Sequence, residues 1–425
     1  MIEYQPRVVD QELDVLMPDL PAIALEGPKG VGKTLSGSRR AATTLGLDNA
    51  AQRELLAADP GRLDRDQGPV FIDEWQRYPE VWDLVRHSVD RNSTGGRFLI
   101  AGSATPAHGP IHSGAGRIVR LRMRPMSLSE RGLPDPPTVS LSAMLAGGRS
   151  DIRGQSRLGL PQYASEVIAS GFPAIRTLPD RARRAQLDGY LARITEHDFP
   201  EQGRQVRRPA SLRSWLAAYA AATSTTAAYN TILAAATPGE SDKPSKVTTI
   251  AYRDVLKQLW LIDEIPGWMP QENAFSRLAA APKHHLADPA LAARLLNATE
   301  QTLLRGSATG PALPREGSLL GGLFESLVTL SVQVYAQAAE ATVSHLRDRA
   351  GEHEVDLIVE GHDGQVVAFE VKLAPTVADS DVKHLHWLAQ RLGDRLADHA
   401  VITTGPEAYR RRDGVAVIPA ALLGP

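Results

Sequence analysis

Cysteine is missing from all 425 residues. Its absence excludes disulfides and thiolate-held metals and fits a cytoplasmic protein. An excess of either charge is missing too. The net charge is −2, so no global field draws the chain to nucleic acid, and any such binding must use a local patch. No apolar run looks long enough to span a bilayer, and the N-terminus shows no secretory pattern. Internal repeats and long low-complexity tracts are absent. What is present is ordinary for a globular protein, with 43% hydrophobic and 23% charged residues and length enough for two or three domains. Arginine greatly outnumbers lysine and alanine is abundant. That reads as genome composition, so an arginine cluster by itself says little.

Against this background one segment stands out. Gly27, Pro28, Lys29, Gly30, Val31, Gly32, Lys33 and Thr34 fit the G-x-x-x-x-G-K-[ST] phosphate-binding loop, the Walker A pattern. The apolar run Ala22-Ile23-Ala24-Leu25 leads into it as a buried strand, and Ser36 to Thr44 can start a helix. Backbone N–H groups of such a loop point at a phosphate, helped by the helix N-terminus. Lys33 is then expected to reach the outer phosphates of ATP, and the Thr34 hydroxyl to hold Mg²⁺.

Two further strands end in suitable side chains. Pro69-Val70-Phe71-Ile72-Asp73-Glu74 ends in carboxylates; Asp73 is expected to hold Mg²⁺ and Glu74 to polarise the attacking water. Arg97-Phe98-Leu99-Ile100-Ala101-Gly102-Ser103 places Ser103 where a hydroxyl can sense the γ-phosphate, because ligands of open parallel sheets bind at strand carboxyl ends. The plain alternative for Ser103 is a turn residue.

The alternation of strands and helices predicts an α/β fold with a P-loop parallel sheet flanked by helices over residues 1–134. The expected last strand contains Arg120, Arg122 and Arg124 on one face, with a solvated face as the plain reading. A mostly helical middle follows over 135–310. Its stretches 212–223, 226–236 and 247–259 read as helices and 261–265 as a strand, an order compatible with a winged-helix module or a plain helical spacer. The chain turns α/β again over 311–425. A helix over 322–337 carries Glu325, and strands are expected at 342–346, 355–359, 366–372, 400–404 and 415–418 with a helix over 385–392.

In this last region Val367, Phe369 and Val371 point one way, as do Val355, Leu357 and Val359, leaving Glu370, Lys372, Glu354 and Asp356 on the opposite faces. A hairpin across Gly361 to Gly364 brings Asp356 and Glu370 together, and Glu325 can add a third oxygen ligand. Clustered carboxylates beside Lys372 suit Mg²⁺-assisted phosphodiester cleavage. A half-exposed hairpin with charged outer faces is the alternative.

The chain resembles bacterial ATP-binding proteins that join an AAA-type P-loop ATPase module to a C-terminal domain of unknown function, the DUF4143 domain. The resemblance rests on the loop Leu25 to Thr34, on Phe71 to Gln76, on Leu99 to Ala104, and on Pro282-Lys283-His284-His285-Leu286-Ala287-Asp288-Pro289. It also rests on Leu323 to Leu327, His345 to Asp348, Glu354 to Ile358 and Phe369 to Lys372. It implies ATP binding and hydrolysis in the N-terminal module. The tail resembles the restriction-endonuclease-like fold, whose acidic helix residue, strand Asp and Glu-x-Lys fall on Glu325, Asp356, Glu370 and Lys372. Related ATPases place an arginine near Arg117 to contact the γ-phosphate, in cis or from a neighbouring subunit. The expected function is a hydrolase of ATP whose nucleotide state controls a tail directed at DNA or RNA, without a membrane partner. The other reading is a nucleotide-gated binding or regulatory module with an inactive nuclease-like fold.

Overall fold

The computed structural model describes residues 4–65, 68–104, 114–147, 150–204, 208–237, 246–269, 280–304, 319–348 and 351–425. The expected start of the tail, residues 311–318, lies outside them.

The N-terminal sheet consists of β1 (Ala22–Glu26), β2 (Thr43–Gly46), β3 (Val70–Asp73), β4 (Phe98–Gly102) and β5 (Val119–Arg122). All pairings are parallel, in the order β2-β3-β4-β1-β5. Strands buried on both faces carry continuous apolar runs, and β1 and β4 do. Their alternate residues feed separate cores. Ala22, Ala24, Ile72 and Ile100 pack with Trp82 and Val85 of the helix Glu80–Arg91. Ile23, Leu25, Phe71 and Leu99 face the core that includes Val9 and Leu13 of the helix Val8–Leu16. The helix after the loop covers only Lys33–Ser38, shorter than expected. Glycine at 37 weakens it, and the β-branched Thr43 and Thr44 join the sheet edge as β2. Because β4 and β5 flank β1, the chain order reverses beside β1, and a crevice opens at its carboxyl end.

The second sheet contains β6 (Gly154–Gln155), β7 (Gly267–Trp268), β8 (Thr342–Arg347), β9 (Glu354–Glu360), β10 (Val366–Val371), β11 (Leu396–Thr403), β12 (Glu407–Arg410) and β13 (Ala416–Pro419). Their order is β6-β12-β13-β11-β10-β9-β8-β7. Its edge strands β6 and β7 come from the middle of the chain; being two residues long, they show no alternation in sequence. β9 and β10 form the expected antiparallel hairpin, with Leu357 opposite Phe369. An irregularity between Val355 and Ile358 in the β9–β8 pairing corrects one expectation. Leu357 and Val359 enter the main core, whereas Val355 turns to the other face, beside Leu385 and Leu388 of the helix Lys383–Leu392.

The helix Leu319–Ala338 packs against the main-core face of this sheet. It reaches the length and hydropathy of a membrane-spanning helix, contrary to the expectation of no such run. The window is 78% buried inside the fold, which makes it a core helix. A helix buried all round is apolar all round.

In the middle region, helices Pro209–Ala221, Tyr229–Ala235 and Lys246–Gln258 follow the expected order. The expected strand at 261–265 is a pair of antiparallel bridges, Ile262 with Leu286 and Ile265 with Lys283. Both isoleucines are buried in the main core, so this pair faces inward.

Candidate functional site

The loop leaves the carboxyl end of β1 against the backbone of β5. Gly27 has φ 155°, and a Cβ there would lie 2.1 Å from the Met123 carbonyl oxygen, so no other residue fits. Gly32 has φ 108° and starts the helix that carries Lys33 and Thr34. Lys33 is buried, and its Nζ donates to the carbonyls of Gly27 (2.7 Å) and Pro28 (2.8 Å). Burial, opposed by Glu74 and Asp73, lowers its pKa to about 8. Thr34 Oγ1 donates to Asp73 Oδ2 at 2.7 Å, joining the loop to the end of β3. Burial raises the Asp73 pKa against the hydrogen bond from Thr34.

Glu74 has φ 53°, the left-handed region, which bulky residues enter at a cost. Its carboxylate accepts from Gln76 Nε2 at 2.5 Å, and the same nitrogen donates to buried Ser103 Oγ at 3.1 Å. One amide thus links the ends of β3 and β4. Gln76 lies in one of the segments that carry the family resemblance, and nothing in its spacing marks this bridge.

The middle region closes over the loop. Lys29 Nζ donates to Asp198 Oδ1 at 2.7 Å and lies 3.5 Å from Glu201 Oε2. Asp198 ends a π-helical turn, Ile194–Asp198. Tyr190 donates to the Lys29 carbonyl, and Phe172 lies beside Gly30. From the other side, Arg7 Nη1 donates to the Val31 carbonyl at 2.6 Å, while its Nε pairs with buried Glu130 at 3.0 Å.

Arg117 is not brought to the loop. It precedes Val119, which is level with Ile23 near the amino end of β1, roughly 20 Å of strand from the loop. Its guanidinium pairs with Asp90 at 2.8 Å. The expected contact to a γ-phosphate is therefore not made within one chain: the arginine lies at the amino end of the parallel strands and the loop at their carboxyl end. The solvated-face reading of the β5 arginines also changes. Arg122 and Arg124 grip the buried carboxylate of Asp263 at 2.8 and 2.9 Å. Against the effect of burial, both arginines hold the Asp263 carboxyl far below its ordinary range. Arg120 remains partly exposed, 3.6 Å from Glu26.

In the tail, Glu325 and Asp356 meet, but around an ammonium rather than around each other. Lys283 Nζ donates to Glu325 Oε1 at 2.9 Å and Asp356 Oδ1 at 3.1 Å, with Glu354 at 3.7 Å. Its side chain is 1% exposed. Burial alone would lower the lysine pKa; Glu325 and Asp356 outweigh it and raise it. Burial pushes Glu325 up to about 7 despite Lys283. The other Asp356 oxygen accepts from the Val371 amide at 2.9 Å. Glu370 turns to Lys372 at 3.0 Å, and its Oε1 is buried without a hydrogen-bond partner. Among the described residues, the group whose ligand atoms all lie within 4.8 Å of one another is Asp348, Glu352 and His353. Glu325, Asp356 and Glu370 do not form such a group, which corrects the expected three-carboxylate metal site.

Comparisons with known proteins match three segments of the chain. Residues 19–131 match the AAA domain family, and residues 320–423 match the domain of unknown function DUF4143. The chain joins an AAA module to a DUF4143 tail. Residues 160–302, between these, match a further domain of unknown function, DUF8612. Uncharacterized proteins of Mycobacterium tuberculosis and Mycobacterium bovis are each 26% identical over 409 residues, covering 94% of this chain and 80% of theirs. Among solved structures, the Thermotoga maritima RuvB Holliday junction branch migration motor is 18% identical. It covers 64% of this chain and 93% of its own, at a TM-score of 0.26, too low to carry an argument. The AAA module holds the glycine loop, Lys33, Thr34, Asp73, Glu74 and Ser103 at the carboxyl ends of β1, β3 and β4. The DUF4143 tail supplies Glu325, Asp356, Glu370 and Lys372, and Lys283 reaches it from outside.

Proposed function

We propose that the AAA module binds ATP and hydrolyses it with Mg²⁺, and that its nucleotide state controls a nucleic-acid-directed tail. The observation that carries the first part is the contact between Thr34 and Asp73. A hydroxyl and a carboxylate side by side are the hard oxygen donors that Mg²⁺ takes beside a phosphate-binding loop. Thr34 and Asp73 would hold the ion, which when bound neutralises charge on the phosphates. Gly27 to Gly32 would cradle the phosphates with backbone N–H groups, and Lys33 would exchange its carbonyl partners for phosphate oxygen. Glu74, steadied by Gln76, would orient the attacking water. A cytoplasmic location fits the absence of cysteine.

Two variants test the reading. Lys33→Ala is expected to lose the rise in melting temperature that ATP gives the wild type; a variant still stabilised by ATP would show that the loop is not the site. Glu74→Gln is expected to bind ATP but turn it over about 10²–10⁴-fold more slowly. Unchanged turnover would remove Glu74 from the chemistry.

For the tail, the Lys283 contacts favour the second reading, a regulatory or binding module that does not cleave. Incubation with single- and double-stranded DNA and RNA plus Mg²⁺ or Mn²⁺ separates the two. Cleavage that disappears in Asp356→Ala would establish a nuclease. Gel retardation without cleavage would support a nucleic-acid-binding module.

A further inference from the structure

The resemblance to restriction-endonuclease-like folds implies a divalent metal at Glu325, Asp356 and Glu370, and the residues present do not fit one. A metal needs carboxylate oxygens converging at roughly 2.0–2.6 Å. Here the point between Glu325 and Asp356 holds the Lys283 ammonium, at 2.9 and 3.1 Å. Asp356 spends its second oxygen on the Val371 amide, and Glu370 faces Lys372. We propose that Lys283 is the resident cation of this acidic cluster, that it excludes a divalent metal, and that the tail therefore works as a metal-free fold clamped to the AAA module.

The lysine is held firmly. Lys283 N–H donates to the Ile265 carbonyl at 2.9 Å, and Ile265 N–H donates back at 3.0 Å. Two residues before Ile265, the Asp263 amide donates to the His285 carbonyl, and the Asp263 carboxylate sits between Arg122 and Arg124. Between those arginines, Met123 donates to the Glu26 carbonyl and lies against Gly27. The bridged pair that delivers Lys283 to the tail is thus the pair that the phosphate-loop sheet grips. Withdrawing the ammonium would mean moving that pair. It would also leave Glu325 and Asp356 facing each other in a buried site, which is strongly unfavourable. The inference concerns the tail and stands whether or not the AAA module hydrolyses ATP.

The test uses the full chain without nucleotide and needs no nucleic acid. Mn²⁺ is titrated into wild type and Asp356→Asn and free ion is read by electron paramagnetic resonance. The expected result is the same number of bound ions in both up to millimolar Mn²⁺. One additional Mn²⁺ in wild type, lost in Asp356→Asn, would overturn the proposal. In a second arm, Lys283→Met is expected to melt roughly 5–10 °C below wild type. Partial recovery is expected from millimolar Mn²⁺ or from adding Glu325→Gln. A Lys283→Met protein that melts like wild type would sink the idea. If that variant does not fold, the Mn²⁺ comparison between wild type and Asp356→Asn decides alone.

Discussion

Gln76 is two residues beyond Glu74, and its side-chain amide nitrogen donates to both Glu74 and Ser103. A residue in that position acts through its neighbour. Removing it frees the Glu74 carboxylate to swing while leaving the phosphate loop alone. Gln76→Ala is therefore expected to lower kcat about tenfold with the ATP Kd unchanged. A matched loss of affinity would instead assign Gln76 to the binding surface. The residues of the loop, Asp73 and Glu74 were legible in sequence because each sits at the end of an apolar run, and strand ends cluster in a parallel sheet. Gln76 was not, because its partner Ser103 lies on a different strand and their meeting depends on the sheet order. Arg117 shows the converse. Its sequence neighbourhood suited a phosphate contact, but the parallel register places it at the other end of β5 from the loop.

At the scale of elements, the phosphate loop is braced on both sides by segments far away in sequence. Arg7, just before the helix Val8–Leu16, holds the Val31 carbonyl and the Arg124 carbonyl while pairing with Glu130. Arg7 and Glu130 are both almost fully buried. Removing one member of such a pair leaves an uncompensated buried charge. Arg7→Ala is expected to destabilise the protein by about 3–5 kcal/mol, read as a lower denaturant midpoint at unchanged slope. A loss under about 1 kcal/mol would mean that water reaches Glu130 and screens it. The elements themselves followed from periodicity wherever they were long. The helices at 209–221, 246–258 and 383–392 and strands β8 to β10 all begin and end near their expected positions, whereas β11 begins four residues earlier than expected. Two-residue edge strands and the irregularity at Val355 did not, because neither leaves an alternation pattern to read.

On the scale of the whole molecule, the bridged pair at 262–265 and 283–286 joins the AAA module to the tail through buried polar groups. His285 and His345 lie among them, and burial first, then the charge of Lys283, lowers their pKa values to about 3 and about 4. The ordinary histidine value is 6.5, so the unfolded chain takes up protons on acidification before the folded protein does. Stability present above pH 6.5 is therefore lost as pH falls toward 3 to 4. Glu325, raised to about 7, acts in the opposite direction, adding stability as pH falls from 7 toward its ordinary 4.5. His285→Gln is expected to flatten the loss between pH 6 and 4 by about 1.4 kcal/mol per pH unit. Urea melts at several pH values measure this, and an unchanged slope would show that His285 titrates normally.

The amino-acid sequence by itself determined the phosphate loop, the carboxylates that follow β3, the α/β character of both ends and the helical middle. Those features are local: a glycine pattern, a strand-end position or a hydrophobic period is complete within a few residues. Only the tertiary structure decided what the charges do. Lys283 reads as one lysine beside two histidines, yet the bridge to Ile265 carries it into a cluster made by Glu325 and Asp356. Arg122 and Arg124 read as a solvated face, yet Asp263 covers them. A charged side chain has the same composition whether it binds a metal, a phosphate or a buried partner. Which one it meets is settled by packing between segments distant in sequence, because a buried charge must find compensation inside the fold.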